Sequence, residues 1–151
     1  MPIEIRRASF FDFLDAPNAD ALVAEYAEES AVAGLPAPKA QRELYERMES
    51  AGLLYTLIAF DGDTVVGVLS MVISINAHYS VVTAVSESYF VASAYRKSGA
   101  GLKLLREGEK LAREMGAVGL LVSGPNEGRL AEIMPHLGYR ASHYAFFKVL
   151  Q

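Results

Sequence analysis

The amino-acid sequence predicts an α/β fold with a mixed sheet. Two β-rich segments, 53–60 and 64–75, flank an Asp-Gly-Asp turn at 61–63, a pattern typical of an antiparallel hairpin. Segments 81–92 and 117–123 enclose an amphipathic helix, which favours a parallel strand pair joined by a right-handed crossover. The chain of 151 residues is therefore expected to form a single domain, with helices around one mixed sheet.

The N-terminal elements follow from local signals. Residues 3–8 predict a short first strand. Residues 18–33 and 38–51 predict two helices, because the breaker Gly-Leu-Pro at 34–36 separates them. After the hairpin, residues 76–80 are expected to form a loop that leads into the next strand.

The C-terminal elements begin at a glycine-rich turn, 96–101. Apolar or small residues recur with a helical period over 101–115, and the charged residues occupy the other side. A last helix is expected within 123–137, where Pro135 must end or distort it. The apolar stretch at 139–150 predicts a terminal strand pair or one bent strand.

Composition excludes several classes of protein. The chain has no cysteine, so a disulfide framework, a thiolate zinc site and a cysteine nucleophile are excluded. The histidines at 78, 136 and 143 lack helical ligand spacing, and we expect no metal site. No apolar run approaches the length of a membrane span, and no signal peptide is recognisable, so we expect a cytoplasmic protein without a membrane partner.

The charge distribution is uneven. The net charge of −4 weighs against nucleic acid as a partner. Residues 1–50 contain ten acidic and five basic side chains, whereas the rest contains eight acidic and nine basic ones. One interpretation is a pair of solvated helix faces. The other is an acidic region for a cationic substrate and a basic region for an anionic cofactor.

The turn at 96–101, with the sequence RKSGAG, stands between a strand and a helix. The N–H groups at a helix N-terminus lack intrahelical partners, and the helix dipole adds positive charge there. Glycines let an anion approach this backbone, and Arg96 and Lys97 add full charges, so the turn predicts a phosphate or pyrophosphate site. A purely structural tight turn remains the alternative. The turn lacks the Gly-Lys-Ser/Thr ending of a nucleotide-binding loop and the third glycine of a dinucleotide fingerprint.

The pattern Arg96-x-x-Gly99-x-Gly101, between a strand ending at Val91 and an amphipathic helix, resembles the pyrophosphate motif of the GNAT superfamily of acyl-CoA N-acyltransferases. The order of predicted elements resembles that family along nearly the whole chain. The resemblance implies a three-layer fold, with a mostly antiparallel sheet that splays between two parallel strands. It also implies acetyl-CoA as donor and a primary amine, of a small molecule or a protein, as acceptor.

The resemblance implies which groups bind the cofactor. Arg96 would lie beside the pyrophosphate, and Lys97, where relatives often have a second glycine, would add charge. The backbone at Val91 would pair with the pantetheine arm, and its N–H would stabilise the thioester oxyanion. Asn126 resembles an asparagine that binds pantetheine or a catalytic water, although it could instead cap a helix. The amides holding the pyrophosphate would be those of Ser98, Gly99, Ala100, Gly101 and Leu102.

Glu87 is the candidate general base. An alkyl ammonium must lose a proton before it attacks a thioester, and a base could accelerate this by roughly 10²–10⁴-fold. Glu87 lies four residues before Val91, so strict alternation predicts that both side chains share one face of the strand. Some relatives that acetylate polyamines have a Glu at this place. The alternative is an exposed strand carboxylate without a catalytic role.

The general acid is harder to assign. Members of the family often have a tyrosine at the position occupied here by Met134, so the chain departs from the pattern. Tyr144, on the predicted final strand, is the candidate acid, and water is the alternative. The missing tyrosine also leaves open a non-catalytic acyl-CoA-binding or interaction domain. The aromatic segment 143–150 could pair between subunits and form a homodimer, or lie in the core of a monomer.

Overall fold

The computed structural model describes residues 2–125 and 128–151, in which it forms five strands and five α-helices. The strands are β1 (Ile3–Ala8), β2 (Leu54–Asp61), β3 (Thr64–Asn76), β4 (Val81–Val91) and β5 (Leu120–Leu121). The helices are α1 (Phe10–Leu14), α2 (Ala19–Glu29), α3 (Arg42–Ser50), α4 (Ala100–Glu114) and α5 (Arg129–Ile133).

The five strands form one sheet in the order β1-β2-β3-β4-β5. Each of the first four strands is antiparallel to its neighbour, whereas β5 runs parallel to β4. The connection from β4 to β5 passes through α4, as a parallel pair requires. The structure therefore confirms the predicted α/β fold with a mixed, mostly antiparallel sheet.

Helices cover both faces of the sheet, which gives three layers. On one face α4 buries Leu104 and Leu111 against the sheet. On the other face Phe10 of α1 and Leu22 of α2 lie in a second cluster, against which Tyr45 of α3 packs. The two faces of β4 consequently look toward different helices.

The sheet opens between β4 and β5. The parallel pairing covers only Ala84 and Val85 of β4. At the other end of β4, the N–H of Ala92 donates to the Val66 carbonyl at 2.9 Å. Since backbone groups alternate along a strand, the N–H of Val91 points away from β3 and into the opening. This is the splay that the resemblance implies.

A β-bulge interrupts β4 at Glu87. Ser70 of β3 pairs with Ser88, but the next residue, Met71, pairs with Ser86, so Glu87 has no partner in the register. A bulge reverses the alternation of side chains beyond it and often lies beside a functional site. The bulge therefore decides on which face of β4 the Glu87 side chain lies.

The predicted elements 3–8 and 101–115 match β1 and α4 closely, and the hairpin is β2–β3. The helix α1 was not predicted. It forms because Ser9 and Asp12 make a capping box, in which each side chain accepts a hydrogen bond from the other residue's backbone. The predicted strand at 117–123 contains only two paired residues, Leu120 and Leu121.

The prediction of terminal strands is wrong for this structure. Residues 140–151 contain neither helix nor strand. Phe146 and Leu150 are 95% and 88% exposed, so their apolar pattern does not reflect burial in the sheet. Val149 instead lies against the loop after α2, where its Cγ2 atom would be 2.1 Å from a Cβ on Gly34. A homodimer through this segment remains a prediction.

None of the helices in the described parts of the chain combines the length and apolar character needed to cross a lipid bilayer.

We expect Gly67→Ala to lower the free energy of unfolding by about 1–3 kcal/mol, because overpacked cores lose stability on this scale. A Cβ at Gly67 would lie 2.9 Å from the Phe90 carbonyl oxygen and 3.2 Å from Leu104 Cδ1. Urea unfolding followed by circular dichroism measures the change. Gly119→Ala is the matched control, since a Cβ there meets nothing within 4 Å. Equal stabilities of the two variants would contradict the prediction.

Candidate active site

The carboxylate of Glu87 lies on the face of β4 that looks toward α1, α2 and α3. It accepts a hydrogen bond from the Tyr45 hydroxyl of α3. Val91 lies on the other face, in the cluster with α4. The prediction that Glu87 and Val91 share a face is therefore wrong, because the bulge at Glu87 breaks the alternation on which it depended.

Three hydroxyl groups hold the Glu87 carboxylate. Tyr45 donates to Oε1, while Ser70 and Ser88 donate to Oε2 at 2.6 and 2.8 Å. Burial, followed by the hydrogen bond to Glu87, raises the pKa of Tyr45 above its ordinary value. The phenol therefore keeps its proton and remains a donor at neutral pH.

Val91 presents its backbone N–H to the opening between β4 and β5, as the predicted oxyanion site requires. Its carbonyl oxygen on the same edge accepts a hydrogen bond from Arg96 Nε at 3.0 Å. This bond fastens the turn to the end of β4. A donor in the opening and a basic side chain beside it fit an extended anionic ligand that runs along this strand edge.

Gly99 is the residue at which the turn needs glycine. Its φ is +87°, a left-handed conformation that other residues adopt at a cost, and it is the N-cap of α4. A Cβ built on it meets nothing within 4 Å, so the backbone is bare on the solvent side. This is the geometry expected where an anion approaches the amides.

Gly101 differs from Gly99. A Cβ on Gly101 would point inward, 3.4 Å from the Tyr89 hydroxyl and 3.6 Å from Val91 Cγ2. The Tyr89 hydroxyl donates to the Gly101 carbonyl at 2.6 Å, and burial raises the pKa of Tyr89 to about 12. Gly101 therefore serves the packing of the turn on β4, in addition to any role of its N–H group.

The amides at the start of α4 are partly available to a ligand. The Ala100 N–H donates to Ser98 Oγ at 3.2 Å, so the serine already caps one donor. Within the described residues, the N–H groups of Gly99, Gly101 and Leu102 have no hydrogen-bond acceptor. Lys97 is exposed beside them. The turn can thus offer three amides, the positive end of a helix dipole and an ammonium group to a pyrophosphate.

Arg96 has structural partners in addition to its predicted ligand. Its guanidinium forms an ion pair with Glu29 of α2 and lies over the Phe90 ring at 5.8 Å. The N–H of Ser93 donates to Glu25 of the same helix at 2.7 Å. Two carboxylates of α2 therefore anchor the turn and the residues just before it, and the Arg96 guanidinium already has a partner other than an anionic ligand.

The acidic excess of residues 1–50 is largely used in local contacts. Six of its ten carboxylates have hydrogen-bonding partners within the described residues, and several of these bonds cap α1 or join neighbouring elements. These six are Glu4, Asp12, Asp15, Glu25, Glu29 and Glu49. On α4, Lys103 Nζ donates to the Ile3 carbonyl and Arg106 pairs with Glu109. Charge counts alone therefore overstate the number of charged side chains that are available to a ligand.

The structure gives no support to the assignment of Tyr144. Tyr144 is 75% exposed in a segment without strand structure, so its assignment as an acid on a central strand loses its structural basis. Asn126 lies outside the described residues. Met134, which replaces the expected tyrosine, is buried at 8% exposure. The general acid remains unassigned.

Sequence reasoning missed the hydroxyl groups around Glu87. Ser70 is completely buried, and a single hydroxyl within the apolar run 65–73 was a signal that could have been used. Tyr45 is an aromatic residue of the predicted helix 38–51, and its ring stacks on Phe10 at a centroid distance of 4.3 Å. Nothing in the local sequence shows that its hydroxyl reaches β4.

Comparison with known proteins identifies a family. Residues 19–132, well over half of the chain, match the profile of the Acetyltransferase (GNAT) family. No curated protein matches the sequence.

Solved structures with the same fold are distant in sequence. An acetyltransferase from Trypanosoma brucei has a TM-score of 0.74 at 18% identity, covering 98% of this chain and 99% of that chain. An aminoglycoside acetyltransferase from an uncultured soil metagenomic sample has a TM-score of 0.75 at 18% identity, with both chains fully covered. A ribosomal-protein-alanine N-acetyltransferase from Brucella melitensis biovar Abortus 2308 has a TM-score of 0.72 at 14% identity, again over both entire chains. At these identities the likeness establishes the fold.

Proposed function

The chain belongs to the Acetyltransferase (GNAT) family, and from this premise we propose that it transfers an acetyl group from acetyl-CoA to a primary amine. The observation that carries the proposal is the arrangement along β4. A backbone donor at Val91 faces the opening of the sheet, the bare turn at Gly99 follows it, and the carboxylate of Glu87 precedes it.

In this proposal the turn and the start of α4 bind the pyrophosphate of the co-substrate. The amides of Gly99, Gly101 and Leu102 donate hydrogen bonds to it, and Lys97 adds a full charge. The Val91 N–H donates to the carbonyl oxygen of the thioester, where negative charge develops during attack. A donor placed there in advance lowers the barrier without reorganisation of solvent.

Glu87 removes the proton from the acceptor's ammonium group. A strand rises by about 3.3 Å per residue, so roughly 10–13 Å separates the Cα atoms of Glu87 and Val91. A proton therefore travels from the amine to the carboxylate through water if the amine attacks beside Val91. The neutral amine attacks the thioester carbon, and the C–S bond breaks after the C–N bond has formed. The nitrogen loses its second proton to water, and the released coenzyme A thiolate takes a proton from water, since the described residues supply no clear acid.

For the acceptor we propose a cationic amine of a small molecule or a protein. The relatives named for aminoglycosides and for a ribosomal-protein alanine act on acceptors of different size, so neither is transferred to this chain. A non-catalytic acyl-CoA-binding domain is the second candidate, and the observation favouring it is the buried Met134 in place of the usual tyrosine.

Calorimetric titration with acetyl-CoA, with ATP as a control, tests the first step of the proposal. We expect micromolar binding of acetyl-CoA and none of ATP. Release of coenzyme A thiol is then followed with a polyamine, an aminoglycoside and a peptide with an N-terminal alanine. Binding without release in any of these reactions would favour the non-catalytic alternative, and no binding by the folded protein would contradict both.

A further inference from the structure

The hydrogen bonds to Glu87 come from three different elements. Tyr45 belongs to α3, Ser70 to β3, and Ser88 to β4 itself. Within the described residues, Glu87 forms no ion pair, so hydroxyl groups alone compensate its charge. A carboxylate held from three sides has a defined orientation that a solvent-exposed strand carboxylate lacks.

The Tyr45 hydroxyl is held in place by the core. Its ring stacks on Phe10 with an interplanar angle of 8°, and Phe10 is 4% exposed. Glu49, also on α3, accepts hydrogen bonds from Ser9 Oγ and the Phe10 N–H, which fixes this helix against α1. The Tyr45 hydroxyl therefore reaches Glu87 from a helix that is packed against the core, and its position is not set by a loop.

The hydrogen bonds leave one part of the carboxylate available. An ionised carboxylate offers about four acceptor sites on its two oxygens. Oε2 of Glu87 accepts from both Ser70 and Ser88, whereas Oε1 accepts only from Tyr45. The remaining site is consequently on Oε1, next to the phenol.

We propose that Tyr45 is a positioning residue that orients Glu87 so that Oε1 receives the proton of the acceptor amine, directly or through water. This inference rests on the proposed function and deepens it, since it assigns one oxygen to the proton transfer and one to anchoring. It also makes α3, through Tyr45, a wall of the acceptor site. Ser70, buried under the carboxylate, anchors the other oxygen.

Two variants test the proposal in a double-mutant cycle. Tyr45→Phe keeps the stacked ring and removes only the hydroxyl, so we expect kcat to fall by roughly tenfold while the Kd for acetyl-CoA stays within about twofold. In a Glu87→Ala background, the same substitution should change kcat by less than about twofold, because the residue through which Tyr45 acts is gone. An equal loss in both backgrounds would overturn the proposal.

Tyr139→Phe is the matched control. The Tyr139 hydroxyl also donates to a carboxylate, Glu109 of α4, at 3.1 Å. We expect kcat of this variant to stay within about twofold of the wild type. A loss like that of Tyr45→Phe would show that removing any such hydroxyl impairs the enzyme, and would overturn the specific role of Tyr45.

Urea unfolding of the same four proteins in the Tyr45–Glu87 cycle gives a readout that needs no turnover. We expect the effect of Tyr45→Phe on the unfolding equilibrium constant to disappear in the Glu87→Ala background. If the effect of Tyr45→Phe persists in the Glu87→Ala background, it does not arise from the hydrogen bond between Tyr45 and Glu87, and the proposal fails. If the wild-type protein binds acetyl-CoA but acetylates no amine, the proposed function fails, and this unfolding cycle still decides whether Tyr45 holds Glu87.

Discussion

Glu87→Gln is expected to lower kcat for amine acetylation by about 10²–10⁴-fold, the range that general-base catalysis contributes. Glutamine has nearly the same shape, and its amide oxygen can accept a hydrogen bond from Tyr45 or Ser70. It cannot take up a proton at neutral pH. Acetyl-CoA should bind with the same affinity as to the wild type, because the predicted pyrophosphate site is the turn at 96–101, which follows the end of β4 and does not include Glu87.

The measurement is a comparison of kcat with the calorimetric Kd for acetyl-CoA. Glu107→Gln is the matched control, because Glu107 is exposed on the outer side of α4 and loses the same charge. We expect this control to keep kcat within about twofold of the wild type. An unchanged kcat in Glu87→Gln, with turnover by the wild type, would remove Glu87 as the base and leave the acetyl-CoA site unaffected.

The position of Glu87 shows what can and cannot be predicted from the sequence. Its place on a strand four residues before Val91 follows from the β-rich pattern. The face on which its side chain lies cannot be predicted in this way. A bulge depends on how β3 and β4 pair, and the register of that pairing cannot be read from the local sequence. The same bulge brings Glu87 within reach of Ser70 and Tyr45, so the hydroxyl groups around it were also beyond local reasoning.

Elements with strong local signals were predicted well. The β2–β3 hairpin follows from a two-residue turn between long apolar strands, and α4 from a one-sided apolar stripe. The segment 140–151 shows the opposite case. Its aromatic and apolar composition is that of a strand, but strand formation needs a neighbouring strand, and in this structure the segment has none.

The composition of charged residues predicted less about the candidate site than the position of the glycine-rich turn did. The acidic excess before residue 51 suggested a cationic substrate, yet most of those carboxylates bind neighbouring side chains or backbone amides. Arg96 was expected to bind phosphate, and it also joins the turn to Glu29 of α2. A sequence shows which charges are present, whereas only the structure shows which are already compensated.

Gly99→Glu is expected to weaken acetyl-CoA binding at least about 100-fold. Any side chain at Gly99 is strained by about 1 kcal/mol, since its φ is +87°. The larger effect comes from the carboxylate, which would occupy the space in front of the α4 amides. It would repel the pyrophosphate and compete for the Gly101 and Leu102 N–H groups, to which an anion at a helix N-terminus binds favourably.

Gly116→Glu is the matched control for this substitution. Gly116 has a φ of +84°, and a Cβ there also meets nothing within 4 Å, so strain and added charge are the same at the opposite end of α4. We expect the control to bind acetyl-CoA with a Kd within about threefold of the wild type.

Gly99→Ala separates the effect of strain from the effect of charge, and we expect its affinity for acetyl-CoA to fall by at most about tenfold. Calorimetry of the three variants, each shown to be folded by circular dichroism, decides between the two interpretations of the turn. If Gly99→Glu binds as tightly as Gly116→Glu, the left-handed glycine serves only to join β4 to α4, and the pyrophosphate must bind elsewhere.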